Sequence, residues 1–271
     1  MMHHVDEDRQ SRERAFHDEW AASLDPATVP VDQIFTGSTT PTQRWLAARL
    51  GDVRGKRLLD LGTGFGEAAV WFAKQGADVV ALDISPGMLD VVHRVADYHG
   101  VQVETSEGSA DDLSQFPDAG FDIVYGANIL HHTEAAKTLR EVHRVLRPGG
   151  RAAFCDPIAY NPVINVYRRM AADVRSADEA PLRKKDVQLY RELFTSVELR
   201  FFWLTTLAVF LKFFFVDRVH PSDDRYWRRI ITEEPQLRSW YVPLERLDRT
   251  LLTFVPPLGW LCWEIGAVVT K

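Results

Sequence analysis

Residues 58–66 read Leu58-Leu59-Asp60-Leu61-Gly62-Thr63-Gly64-Phe65-Gly66. A short apolar run ends around an acid, and three glycines at alternate positions follow. Apolar runs of this length bounded by glycine read as strands of a buried sheet. Glycine allows a tight turn and lets a ligand come close to the backbone. The residues that follow, Ala68–Gln75, carry a helical pattern, so the stretch is a strand, a turn and a helix. Spacing narrows the ligand. A dinucleotide-binding turn would read G-x-G-x-x-G. Here the third glycine comes one residue early, and Glu67 stands where that pattern expects it. The lysine of a phosphate-cradling loop is missing as well. The pattern is D-x-G-x-G-x-G.

Working outward, strands and helices alternate. Arg57–Leu61 is a strand. Asp78–Leu82 is a strand ending at Asp83, Pro86–His99 a helix and Val101–Thr105 a strand. Phe121–Tyr125 is a strand, Glu134–Leu146 a helix, and Arg151–Cys155 a strand after the turn Pro148-Gly149-Gly150. Such alternation implies a parallel sheet covered on both faces, with ligands at the carboxyl ends of its strands. Beyond Asp156, residues 163–175 and 182–194 read as helices, Val197–Trp203 as a strand and Leu261–Thr270 as a last strand. The excess of chain between those two strands is read as a helical insertion, far longer than the ~2–5 residues of a hairpin.

Five ordered motifs over residues 57–156 resemble class I S-adenosylmethionine-dependent methyltransferases. They are the glycine turn; Asp83 at the end of the second strand; Glu107-Gly108-Ser109-Ala110-Asp111-Asp112-Leu113; Phe121-Asp122-Ile123-Val124; and Leu146-Arg147-Pro148-Gly149-Gly150. The motifs are also similar to those of the ubiquinone and menaquinone methyltransferases. The resemblance implies an α/β fold: a Rossmann-like, doubly wound, mostly parallel seven-stranded sheet. It implies S-adenosylmethionine as cofactor, held by Asp60, Gly62, Thr63, Gly64, Gly66, Asp83, Ile84, Met88, Ser109, Ala110, Asp111 and Asn128. Asp60 orders the turn or reaches the methionine ammonium, and Asp83 accepts the ribose hydroxyls. Ser109 stands where the family often has an adenine-binding Asp, a place that Asp111 or Asp112 could take over.

The fourth strand runs into Gly126-Ala127-Asn128-Ile129-Leu130-His131-His132, and Asp156 follows the fifth. The catalytic candidates are His131, His132 and Asp156. An imidazole titrates near working pH and suits a general base. Packing beside the cofactor or capping a helix is the competing role for the histidines, and strand-end capping for Asp156. Tyr160, His220, Tyr226 and Tyr241 are weaker candidates, with packing as their ordinary use. No metal spacing is visible.

Residues 8–24, with Phe16, His17 and Trp20, form an amphipathic helix that reads as a lid, with Thr36-Gly37-Ser38-Thr39 as its hinge or a covering loop. The expected organisation is a lid or cap over 1–50, a cofactor core over 51–160, and substrate-side helices, insertion and final strands over 161–271. Phe201–Val216 holds seven aromatic residues. This run lines a hydrophobic pocket, forms a homodimer interface or touches a membrane surface. Arg225, Arg228 and Arg229 suit an anionic head group, or simply a solvated face.

The 271 residues are 46% hydrophobic and 26% charged, enough apolar surface to bury a core. The net charge of −6 disfavours a nucleic-acid partner. Asn128-Ile129-Leu130-His131 also lacks the Asn/Asp-Pro-Pro-Tyr/Phe motif of base N-methylation. Cys155 and Cys262 form no disulfide framework, and Met1–Gln10 lacks the apolar core of a secretory signal, so a cytoplasmic location is expected. The function expected is methyl transfer to a small, fairly hydrophobic metabolite, by O-methylation. The alternatives are C-methylation of a quinone or isoprenoid-like lipid, and a catalytically silent S-adenosylmethionine-binding partner protein.

Overall fold

The computed structural model describes residues 2–22, 24–171 and 179–271, and the side chains of residues 2–10 and of Phe16 lie outside that description. Three helices come first: α1 (Met2–Ala21), α2 (Val31–Thr36) and α3 (Pro41–Leu50). The alternating part follows as β1 (Arg57–Leu61), α4 (Glu67–Lys74), β2 (Asp78–Asp83), α5 (Pro86–His99), β3 (Glu104–Glu107), β4 (Phe121–Ala127), α6 (Ala135–Val145) and β5 (Leu146–Pro157). Then come α7 (Pro162–Met170), α8 (Lys184–Leu193), β6 (Ser196–Phe202), α9 (Ala208–Phe215), α10 (Tyr226–Thr232), α11 (Glu234–Phe254) and β7 (Glu264–Thr270).

The strands form one sheet in the order β3-β2-β1-β4-β5-β7-β6. The first five are parallel, and β7 lies antiparallel between β5 and β6. This is the mostly parallel, seven-stranded α/β architecture that the resemblance implied. The chain reverses direction of travel between β1 and β4, which pair side by side. That switch point opens a crevice at the carboxyl ends of both strands.

Neighbouring residues of a strand face opposite sides of the sheet. Leu58, Val79 and Ile123 enter the core under α1 to α5, while Leu59, Val80 and Val124 enter the core under α6 and α8. Both faces are covered, which explains near-continuous apolar runs in place of alternation. α5 illustrates the local code. Ser85 Oγ accepts the Met88 N–H at 3.0 Å, Pro86 opens the helix and left-handed Gly100 closes it.

Several boundaries differ from the sequence reading: β5 already starts at Leu146, ahead of the expected Arg151, and α7 ends at Met170, with 172–175 of the expected helix outside the described residues. β3 runs over Glu104–Glu107 rather than Val101–Thr105, because the Val101 N–H turns back to the Ala96 carbonyl at 3.0 Å and ends α5. β7 begins at Glu264 rather than Leu261, since Pro256–Leu261 is a 3-10 turn. The insertion is helical, as expected. Its aromatic run divides: Phe202, Trp203, Phe210 and Phe213 are buried, whereas Phe215 is 69% and Val216 71% exposed. No helix among the described residues is long and apolar enough to cross a membrane.

Candidate active site

The turn after β1 is closed by its own backbone. The Thr63 N–H donates to Leu82 O at 3.0 Å, and the Gly66 N–H donates to Thr63 O at 2.9 Å. Gly62 and Gly64 have φ of +63° and +54°, the left-handed region that favours glycine. A Cβ on Gly62 would lie 2.5 Å from Ile129 Cδ1, whereas one on Gly64 would meet nothing within 4 Å. Gly64 therefore borders open space. Its N–H donates to Asp83 Oδ2 at 3.0 Å, and the Ser85 N–H donates to Asp83 Oδ1 at 3.0 Å. One carboxylate thus ties the glycine turn to the end of β2, and each oxygen keeps a lone pair for a ligand hydroxyl.

Two cavities open over these strand ends. The smaller, about 110 Å³, is lined by Asp83, Ile84, Ser109, Ala110 and Asp111. The larger, about 330 Å³, reaches Asp60, Thr63 and Met88 on one side and Trp20, Trp203, Trp227 and Trp263 on the other. They meet at His17, Gly62, Gly64, Asn128 and His132. Of the residues expected to hold the cofactor, only Gly66 lines neither cavity. It opens α4 at φ +81°, with Val92 Cγ2 3.0 Å from where a Cβ would stand, so the fold itself needs a glycine there.

Asp60 and Glu67 face the same cavity. Burial raises Asp60 to about 7, against the opposing Thr63 hydroxyl, which donates at 2.7 Å. Burial likewise raises Glu67 to about 7, helped by repulsion from Asp60. Two unbalanced carboxylates beside an open glycine are what a cationic ligand stabilises. S-adenosylmethionine, with its ammonium and its sulfonium, fits that donor set, and the Asp83 oxygens fit its ribose. At the adenine end, Ser109 Oγ accepts the Asp111 N–H at 3.2 Å. Asp111 Oδ1 is taken up by the Glu134 N–H (3.1 Å) and the Thr138 hydroxyl (2.6 Å), which anchor α6. Asp112 lines neither cavity and binds the Ser114 N–H.

His131 and Asp156 meet because β4 and β5 pair with Ala127 opposite Cys155. His131 Nδ1 lies 2.9 Å from Asp156 Oδ1, and the His131 N–H donates to the same oxygen at 3.2 Å. Asp156 is 1% exposed, and burial raises it well above the usual carboxylate range. Asp156 lines neither cavity, and its carboxylate pairs with His131. The His132 ring lies beside His131, with centroids 4.1 Å apart and planes tilted by 43°, and its Nδ1 lies 3.4 Å from Glu13 Oε2 of α1. A donor atom each from His131, His132 and Glu179 lie within 4.8 Å of one another, a grouping of two imidazoles and one carboxylate able to take a divalent cation.

The sequence reading missed Glu67, Glu13, Glu179 and Glu264 as cavity residues. Glu67 carried a signal, since it occupies the place of a dinucleotide glycine. Glu264 is held by the Thr42 hydroxyl at 2.8 Å and raised by burial to about 7. Among the weaker candidates, Tyr160 accepts the Lys184 N–H, His220 contacts Ser222 on the surface, and Tyr226 donates to Val219 O; none of the three lines either cavity. Arg225 stacks on Trp20 at 3.5 Å and lines the larger cavity, while Arg229 pairs with Glu233 at 2.6 Å.

α1 lies across both openings. Its Asp18 Oδ1 accepts the Ser85 hydroxyl at 2.5 Å and the Gly87 N–H at 3.0 Å, docking it on the start of α5. The Trp20 ring packs 4.4 Å from Phe65.

Residues 59–154 match the family described as "Methyltransferase domain". The chain is similar to a demethylmenaquinone methyltransferase of Thermus thermophilus, 41% identical over 99 residues, covering 35% of this chain and 44% of that protein. A demethylmenaquinone methyltransferase of Renibacterium salmoninarum is 35% identical over 158 residues, covering 55% and 64%. The chain spans about half the length of the curated relatives it matches. A solved S-adenosylmethionine-dependent methyltransferase from Mesorhizobium loti shares the fold, with a TM-score of 0.53 at 19% identity over 88% of this chain and 100% of that one. With motifs, sheet order and matched residues in agreement, residues 59–154 are a methyltransferase domain of the class I, S-adenosylmethionine-dependent type.

Proposed function

We propose that the chain methylates a hydroxyl oxygen of a small, hydrophobic acceptor, with His131 as general base. One observation carries this reading. The cavity at Asp83 and Ser109 and the aromatic cavity beyond it meet at Gly62, Gly64, Asn128 and His132, beside the His131–Asp156 pair. S-adenosylmethionine, when bound, supplies an electrophilic methyl group on a positively charged sulfur. Asp83 and Ser109 would hold its adenosine side, and Asp60 and Glu67 its ammonium.

The chain's own groups do the rest. His131 Nδ1 and Asp156 Oδ1 stand at hydrogen-bond distance, 2.9 Å apart. With a proton on Nδ1, Nε2 keeps its lone pair and accepts the acceptor's hydroxyl proton. Asp156 fixes the tautomer and is a positioning residue. Placing the reactants in line supplies much of the acceleration. Trp20 and His17 of α1 cover the junction and exclude water.

The test is an acceptor screen of hydrophobic phenols and acids with isotopically labelled S-adenosylmethionine. His131→Ala should lower kcat by about 10²–10⁴ at neutral pH with little change in cofactor affinity. Wild-type rates in both His131→Ala and His132→Ala would remove histidine catalysis. A labelled methoxy product supports the reading, and a labelled ring methyl overturns it. C-methylation of a quinone-like lipid is the second reading. It is favoured by the names of the relatives and by the exposed Leu211, Phe215 and Val216 on and beside α9. Activity that requires detergent or vesicles supports it. Tight cofactor binding without turnover on any acceptor would support a silent binding partner instead.

A further inference from the structure

A second cleft, of about 430 Å³, lies between β6 and α11. It shares only Trp203 with the acceptor cavity. Its apolar walls include Phe201, Leu252 and Pro256, and two guanidinium groups line it, those of Arg200 and Arg249. Two carboxylates, those of Glu245 and Asp248, line the cleft as well, and each is engaged with other groups. Glu245 pairs with Arg44 at 3.4 Å and Glu198 with Arg49 at 2.8 Å. Asp248 accepts the Leu204 N–H at 3.1 Å, the Thr205 N–H at 2.6 Å and the Thr206 hydroxyl at 2.8 Å. Among the described residues no carboxylate lies within ion-pair distance of Arg200 or Arg249. Burial and the repulsion of Arg249, Arg49 and Arg44 lower Arg200, against the attraction of Glu245.

An independent observation points to the same missing partner. Tyr241 is 0% exposed and lines this cleft, and its hydroxyl has no hydrogen-bond partner among the described residues. A buried hydroxyl left unpaired is unfavourable. Burial raises Tyr241 well above its ordinary value, so the hydroxyl remains a donor. Two guanidinium groups and one donor hydroxyl call for an oxyanion, which arginine recognises through paired N–H groups. The surrounding rings and aliphatic walls call for a hydrocarbon body on that oxyanion.

We propose that this cleft binds a small organic anion, an aryl- or alkyl-carboxylate, with Arg200, Arg249 and the Tyr241 hydroxyl on the carboxylate and the body against Phe201 and Leu252. The bound anion reports to the acceptor cavity through Trp203. That ring lies 5.0 Å from Tyr241 and 5.6 Å from Trp263. Its backbone sits at φ +70°, a strained conformation for a bulky residue, which makes it a natural point of adjustment.

The experiment compares 4-phenylbutyrate with 4-phenylbutanol, the same body without charge, by calorimetry and tryptophan fluorescence on the full chain. The acid should bind at least tenfold tighter than the alcohol and change the fluorescence. Trp203→Phe should remove most of that change while the heat of binding persists. Arg200→Leu should bring the acid to the alcohol's affinity, and Tyr241→Phe should weaken it several-fold. Should Arg200→Leu fail to fold, Arg249→Ala on the exposed face of α11 gives the same readout. Equal affinity of acid and alcohol, absence of binding at millimolar concentration, or undiminished acid binding in Arg200→Leu would each overturn the proposal. Binding that survives Arg200→Leu and vanishes in Arg225→Ala would place the anion in the acceptor cavity, and overturns it too. S-adenosylhomocysteine affinity, measured in every variant, keeps this outcome separate from the methyl-transfer reading.

Discussion

Replacing Asp83 by Asn changes one charge and almost no volume, so it isolates what the carboxylate does. Asp83 accepts two backbone N–H groups, from Gly64 and Ser85, each at 3.0 Å. It is 7% exposed and lines the smaller cavity. The carboxamide keeps one acceptor oxygen and turns the other into a donor. At least one hydrogen bond between the carboxylate and the ribose is lost, at about 1.5–3 kcal/mol for a bond to a charged group. That corresponds to roughly 10- to 150-fold in Kd. Stability should move less. Burial raises Asp83 above its usual value, so removing the charge relieves a desolvation cost while it loosens the turn. The signature is therefore weak cofactor binding by a folded protein. Calorimetry with S-adenosylmethionine and its demethylated product gives the affinity, and thermal melting gives the fold. A Kd within threefold of wild type, with the melt unchanged, would refute the ribose assignment. Asp111→Asn is the matched control. It lines the same cavity, but its Oδ1 binds the Glu134 N–H and the Thr138 hydroxyl, so it should cost stability more than affinity.

Asp60 and Glu264 are both raised to about 7 by burial, so folding takes up protons between the usual carboxylate value near 4 and 7. Their contribution to stability is full below about pH 4, falls as pH rises to about 7 and is level above it, at up to about 1.4 kcal/mol per unit for each group. Melting of the ligand-free protein at pH 5 to 8 should show the decline, Glu264→Gln should flatten it, and a rise through that range would refute the assignment. Zinc should inhibit by occupying His131, His132 and Glu179, whose donor atoms lie within 4.8 Å, because the proposed base needs an unligated imidazole. EDTA should leave the rate unchanged; loss of activity on chelation would show that the grouping works with a metal bound. Asp18→Ala removes the contacts of α1 to Ser85 and Gly87, and should lower turnover several-fold with a small change in melting temperature. Wild-type kinetics would reject the lid.

The cofactor side was legible in the sequence because its constraints are local. Left-handed glycines, a closing hydrogen bond from Gly66 to Thr63, and an acid at the end of the next strand all fall within short stretches. At Gly66 the fold adds a demand of its own, because a Cβ there would stand 3.0 Å from Val92 Cγ2. The acceptor side was legible only as strand ends. His131 and Asp156 stand 25 positions apart, and only the β4–β5 register brings them to one hydrogen bond. α9 is apolar all round, so its period could not tell buried Phe210 and Phe213 from exposed Phe215.

The difference in legibility has a physical cause that bears on specificity. The proposed cofactor site is one turn and three successive strand ends, so a few residues in fixed order suffice. The acceptor cavity is assembled from elements remote in the chain: Trp20 from α1, Trp203 after β6, Trp227 from α10, and Trp263 with Glu264 at the start of β7. Such a wall can be rebuilt residue by residue without touching Asp60, Gly64 or Asp83. Acceptor choice should therefore respond to Trp203, Trp227, Trp263 and Glu264, and cofactor affinity should not. Of these, Glu264 is the most selective element. A carboxyl raised to about 7 within an aromatic wall is protonated in much of the ligand-free protein at neutral pH, and it then donates a hydrogen bond. An acceptor that offers a lone pair at that depth satisfies it, whereas a purely hydrocarbon end adds no partner to the Thr42 hydroxyl.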